Sequence, residues 1–107
     1  MEGRARVLLA DTLANKRVLI TGGGSGLGKS MGHRFLELGA ELAICGRREE
    51  VLKATADEFA DEFGRSITWH VCDVRQPDAI AEMLDAIWRE RPLDGLVNNA
   101  AGNFIAR

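Results

Sequence analysis

The 107-residue sequence has no tyrosine, and its two cysteines, Cys45 and Cys72, and two histidines, His33 and His70, all stand apart from one another. With no CxxC and no neighbouring His pair, a zinc-ligand pattern is excluded. The thiols are read as buried structural groups in a reduced, cytoplasmic setting. No apolar stretch approaches the roughly 20 residues needed to cross a bilayer. The run Val7 to Ala10 behind Arg4 and Arg6 is far shorter than the apolar segment of an export signal. Charge of one sign is not in excess either: 14 Lys and Arg against 16 Asp and Glu leave a formal net charge of −2. Such a balance gives no general reason to seek nucleic acid or an acidic membrane surface. Internal repeats, low-complexity tracts and linkers are absent, and the length has room for one small α/β layer structure.

What is present is an alternation of short apolar runs with helical patterns. "RVLIT", Arg17 to Thr21, reads as a buried first strand that stops at glycine. A helix from about Ser25 to Leu38 follows, with Leu27, Met31, Phe35 and Leu38 on one side and Gly39 closing it. "ELAIC", Glu41 to Cys45, is the second strand. From Glu49 to Phe63 the apolar residues recur at helical spacing, and Gly64 supplies a left-handed stop. "SITWHVC", Ser66 to Cys72, is strand three. Pro77 opens a third helix carrying Ile80, Met83, Leu84, Ile87 and Trp88, and "DGLVNNAAG", Asp94 to Gly102, gives a fourth strand and a small-residue exit. Residues 1–16 are read as an N-terminal extension and 17–107 as the layered unit. Connections this short imply an α/β fold, a doubly wound parallel sheet of Rossmann-like type with about four strands and three helices. Ligands in such sheets lie beyond the C-terminal strand ends, so chemistry is sought at Thr21 to Gly28, Gly46 to Arg48, Asp73 to Arg75 and Asn98 to Gly102.

"ITGGGSGLGKS", Ile20 to Ser30, fits two phosphate-binding patterns. From Gly23 it has the P-loop spacing G-x-x-x-x-G-K-S, which would place Lys29 and Ser30 on a γ-phosphate and its Mg²⁺. From Thr21 it is T-G-x-x-x-G-x-G, a dinucleotide turn that needs neither. Both rely on unpaired N–H groups and the positive dipole end at a helix start. The strand ends further on favour the second pattern. About 20 residues on, a dinucleotide fold needs an acid for a ribose hydroxyl or an Arg for a 2′-phosphate, and "CGRREE" supplies Arg47 and Arg48. A guanidinium fork suits a phosphate dianion, which favours NADP over NAD. The alternative for Arg47 and Arg48 is a pair of solvated charges at a helix start, where a cation opposes the dipole.

"TGGGSGLG", "CDV" after strand three and "NNAAG" after strand four, in that order, resemble the short-chain dehydrogenase/reductase family. The resemblance implies that Gly22, Ser25, Gly26, Leu27 and Gly28 wrap the pyrophosphate of NADP. It puts Asp73 and Val74 on the adenine, and Asn99, Ala100 and Gly102 on the path to the nicotinamide. Asp73 could equally be a strand-end turn residue, and Asn98 and Asn99 could cap strand four.

"VLKATAD", "CDVRQPD" and "NNAAGNF" are together similar to the 2,4-dienoyl-CoA reductase branch of that family. This narrower resemblance implies an acyl-CoA substrate with Arg75 and Phe104 near it, and hydride transfer from NADPH to a conjugated dienoyl thioester. A solvated Arg and a core Phe are the alternatives. The family's proton donor is a Tyr in Y-x-x-x-K, replaceable in the dienoyl branch, and lies downstream of the Asn-rich motif. This sequence has no Tyr, and Lys16, Lys29 and Lys53 all precede strand four. The expectation is the N-terminal half of a longer NAD(P)-binding domain, homo-oligomeric at full length and without the catalytic set. A stand-alone nucleotide-binding module is the alternative, as is a general short-chain carbonyl or 3-oxoacyl reductase.

Overall fold

The computed structural model of the chain describes residues 12–99. Seven elements alternate along it: β1 (Arg17–Thr21), α1 (Gly26–Glu37), β2 (Glu41–Gly46), α2 (Glu49–Phe63), β3 (Thr68–Val71), α3 (Pro77–Glu90) and β4 (Gly95–Asn98). All strand pairs are parallel and the order is β3-β2-β1-β4. The doubly wound, Rossmann-like sheet expected from the alternation is the fold observed. No helix among the described residues is long and apolar enough to cross a membrane.

Two-sided burial explains the strand sequences. Every residue of β1 is buried, because helices cover both faces. Val18 and Ile20 join Leu42, Ile44, Leu52 and Phe59 in one cluster, while Leu19, Ala43 and Cys45 meet Met83 and Ile87 of α3 in the other. A strand flanked in this way cannot alternate polar and apolar residues, hence the continuous apolar runs. β3 and β4 pair on one side only among the described residues, and both are shorter than the sequence suggests. Val71 and Leu96 on them stay 54% and 56% exposed.

The packed face of α1 corrects the expectation. Leu27 is 67% exposed, and the buried stripe is Gly28, Gly32 and Leu36, with Met31 and Phe35 at its margin. A Cβ on Gly32 would lie 3.0 Å from Leu42 Cδ2, so the helix approaches the sheet along its glycines. Trp88 likewise stays 54% exposed, leaving Met83 and Ile87 as the buried residues of α3. α2 ends where expected, with Gly64 at φ 67° donating to the Ala60 carbonyl at 2.8 Å.

Among the described residues Arg17 is the one buried charged side chain, 3% exposed. Its guanidinium donates to the Ile87 and Arg91 carbonyls at 2.9 and 2.6 Å and to Glu90 at 2.8 Å. It thereby satisfies carbonyls at the C-terminal end of α3 and ties that helix to β1. The Asp94 carboxylate accepts the Arg17 N–H at 2.8 Å, which fixes the entry to β4.

Candidate functional site

After β3 the chain returns to the far side of β1, so the loops leaving β1 and β4 diverge at the point where strand order reverses. The Thr21 hydroxyl joins them. It accepts the Asn99 N–H at 2.7 Å and lies 3.1 Å from Asn98 Oδ1. Asn99 Nδ2 also donates to the Gly22 carbonyl at 3.4 Å. Gly28 packs beneath this junction, where any side chain would run into the Gly22 carbonyl and Asn99. Gly22 and Gly28 are thus joined with Asn99, 77 residues beyond Gly22, in one structural unit.

Beside that unit a cleft of about 500 Å³ opens at the C-terminal ends of β1, β2 and β3. It is lined by Gly22, Gly24, Ser25, Gly46, Arg47, Arg48, Val51, Leu52, Cys72 and Val74. Its chemistry fits a dinucleotide. At the glycine end, α1 starts with no acidic residue in its first turn and no side-chain cap from Ser25, leaving its first N–H groups and dipole for an anion. Leu27 and Gly26, exposed at that start, have no core role to compete with a ligand.

At the other end stand Arg47 and Arg48, both exposed. Among the described residues neither is within ion-pair distance of a carboxylate. They precede a helix whose first turn holds Glu49 and Glu50. Two cations beside the positive end of a helix are not there for the helix's benefit.

Val74 lines the cleft and packs against the Leu19 cluster, giving an apolar wall. Asp73 and Arg75 are engaged with each other. Arg75 Nε and Nη2 reach the two Asp73 oxygens at 3.0 and 2.9 Å, and the Arg75 N–H adds a bond of 3.0 Å. The Arg75 hydrogen bonds, with the more distant charge of Arg47 adding, hold the Asp73 carboxyl down at about 2. Arg75, named from sequence as a substrate residue, has its fork on Asp73. Cys45 lies beneath this wall, and burial, then the neighbouring Cys72, pushes its thiol up to about 12. Both cysteines are free and buried, as their structural reading expects.

Lys29 argues against a triphosphate at the turn. Its Nζ pairs with Glu58 Oε1 of α2 at 2.8 Å, and neither Lys29 nor Ser30 lines the cleft. The P-loop match is a coincidence of spacing. Ala100, Gly102 and Phe104 lie outside the described residues. Residues not singled out from sequence also shape the site: Gly24, Val51 and Leu52 in its lining, and Thr55 behind it, bonded to the Gly24 carbonyl. For Thr55 a signal existed, a polar residue on the apolar stripe of α2 beside Leu52, Ala56 and Phe59.

Comparison with known proteins places this geometry. The chain is 46% identical over 101 residues to an uncharacterized oxidoreductase of Caenorhabditis elegans, a match spanning 88% of this chain and 31% of that one. A protein of Bacillus subtilis named as a probable 2,4-dienoyl-CoA reductase is 40% identical over 94 residues, 87% of this chain and 37% of its own length. Several proteins of that name align at 34–40% identity. Among solved structures, a short-chain dehydrogenase of Escherichia coli complexed with NADPH superposes with a TM-score of 0.79 at 28% identity, covering 84% of this chain and 39% of that one. The chain spans about a third of the length of the curated relatives it matches. The short chain dehydrogenase family profile matches residues 16–106, and with the parallel sheet and glycine turn described above, the chain belongs to the short-chain dehydrogenase family.

Proposed function

We propose that the chain forms the NADP-binding part of a short-chain oxidoreductase that reduces 2,4-dienoyl-CoA thioesters in unsaturated fatty-acid degradation. The observation that carries the cofactor assignment is the pair Arg47 and Arg48, which among the described residues pair with no carboxylate, at the rim of a cleft whose other end is a glycine turn. In this reading Gly22 and the N–H groups of Ser25 to Gly28 hold the pyrophosphate, and the guanidiniums hold the 2′-phosphate. Asp73 and Val74 flank the adenine, and Asn99, with Ala100 and Gly102, lines the way to the nicotinamide. When bound, NADPH supplies a hydride. The residues seen here bind and orient it; with no tyrosine in the sequence, proton donation is not assigned to them.

The dienoyl-CoA assignment is supported by the relatives that carry that name. In it Arg75 exchanges Asp73 for a CoA phosphate or carbonyl, and Phe104 packs on the acyl chain. We assign the free, buried thiols to a reducing compartment, the cytoplasm, and expect a homo-oligomer at full length.

Fluorescence titration of the native chain and Arg47→Ala with NADPH and NADH tests the cofactor reading. A charge-assisted phosphate contact is worth about 1.5–3 kcal/mol, roughly ten- to a hundredfold in affinity. NADPH binding should fall by that factor with NADH little changed; equal losses refute the assignment. In the full-length protein, NADPH should be oxidised faster with a 2,4-dienoyl-CoA than with a 3-oxoacyl-CoA, and the reverse order would return it to the general carbonyl reductases.

A further inference from the structure

One polar residue on the buried face of α2 reaches the glycine turn from behind. Thr55 is 3% exposed, and its hydroxyl donates to the Gly24 carbonyl at 2.6 Å. A helical Thr commonly returns its hydroxyl to a carbonyl one turn back in its own helix; Thr55 gives it to another element. The same helix crowds Gly24 from the side, since a Cβ there would lie 3.0 Å from Val51 Cγ1 and 3.4 Å from Leu52 Cδ2. α2 therefore grips the turn both by a bond and by contact.

The bond has a directional consequence. The Gly24–Ser25 peptide is trans, and in a planar trans peptide the carbonyl and the following N–H point in opposite directions. With the Gly24 oxygen pinned inward on Thr55, the Ser25 N–H is turned away from the core, on the side where exposed, extended Ser25 (φ −159°) lines the cleft. Among the described residues that N–H donates to no backbone carbonyl. Without the pin, a residue lacking Cβ gives the peptide plane a wider range of rotation.

We infer that Thr55 is a positioning residue for the cofactor: its hydrogen bond to Gly24 aims the Ser25 N–H at the pyrophosphate. This rests on the NADP reading above and extends it to a side chain that does not line the cleft.

Thr55→Val keeps the shape and removes the donor, while Thr55→Ser keeps the hydroxyl. Binding of NADPH and of adenosine 2′-monophosphate, which has no pyrophosphate, is measured for each variant and the native chain. Thr55→Val should bind NADPH about tenfold more weakly or worse, as for loss of one charge-assisted bond, and Thr55→Ser within about twofold of native. Adenosine 2′-monophosphate should bind all three alike. Unchanged NADPH affinity in Thr55→Val, or an equal loss for both ligands, overturns the inference while leaving the NADP reading intact. Should Thr55→Val not fold, the native chain decides: titration with inorganic pyrophosphate, followed by amide NMR, should move the Ser25 cross-peak. A silent Ser25 amide beside clear NADPH binding overturns the role of Thr55 alone. A native chain that binds no NADPH overturns the cofactor reading and this inference with it.

Discussion

Replacing Gly28 with alanine reverses the sign that helix propensity alone would give. In an exposed helix interior, alanine is favoured over glycine by about 1 kcal/mol. Gly28 is buried at the junction of the turn and β4, where a new methyl would enter the envelope of the Gly22 carbonyl oxygen. It would also lie 2.8 Å from the Gly22 carbonyl carbon and 2.8 Å from Asn99 Nδ2. The Asn99 amide can swing aside, giving up its bond to Gly22 at a cost of about 1 kcal/mol. The Gly22 carbonyl has less freedom, because Gly22 sits at φ 66° with its N–H bonded to the Cys45 carbonyl at 2.8 Å. Either the turn opens or the start of α1 lifts from the sheet. Overpacking of this kind costs about 1–3 kcal/mol, so with the propensity gain set against the lost bond, the net loss is about 1–3 kcal/mol. Urea unfolding followed by circular dichroism measures it as a lower midpoint at unchanged slope, and NADPH affinity should fall with it because the turn has moved. A variant as stable as the native chain, with the same affinity, would show that the turn has slack and that the glycine is not there for space.

Arg17→Met should destabilise the fold by about 1–3 kcal/mol for each buried carbonyl at the end of α3 that it leaves without its donor. Glu90→Gln, which alters a partner 67% exposed, should cost less than about 1 kcal/mol; similar losses for both would show the carbonyl bonds to be unimportant. For Asp73, the folded carboxyl stands near 2, below its unfolded value of 3.8. The contribution of its pair with Arg75 is therefore complete above the unfolded value and fades as the pH falls through about 2. NMR titration should move the midpoint upward in Arg75→Gln, part of the way to the ordinary carboxylate range because the backbone N–H of residue 75 still donates to Asp73, and an unmoved midpoint would assign the shift elsewhere.

The strands and α2 were readable because burial on two faces writes itself into contiguous residues. "RVLIT" is a buried run since both faces of β1 are covered, and α2 carries its stripe and its glycine stop in a single stretch. α1 misled in part because two of its three buried positions, Gly28 and Gly32, give no hydrophobic signal beside Leu36, while the apolar Leu27 faces solvent. The site divides in the same way. The glycine turn and Arg47 with Arg48 are local motifs at strand ends, found by spacing. The Thr21 to Asn99 junction and the Thr55 to Gly24 bond join residues 78 and 31 apart, and only the strand order brings them together. The Asp73–Arg75 pair is close in sequence, but it depends on side-chain rotamers, which composition and period do not record.

The strand order also sets a sequence in time. Every residue lining the cleft falls between Gly22 and Val74, whereas β1 completes its second ladder only with β4, Val18 opposite Gly95. On a ribosome adding about 5–20 residues each second, the central strand waits seconds with one flank bare. Because Asn99, at the end of β4, holds the Thr21 hydroxyl and the Gly22 carbonyl, the glycine turn takes its final shape only once that last strand has docked.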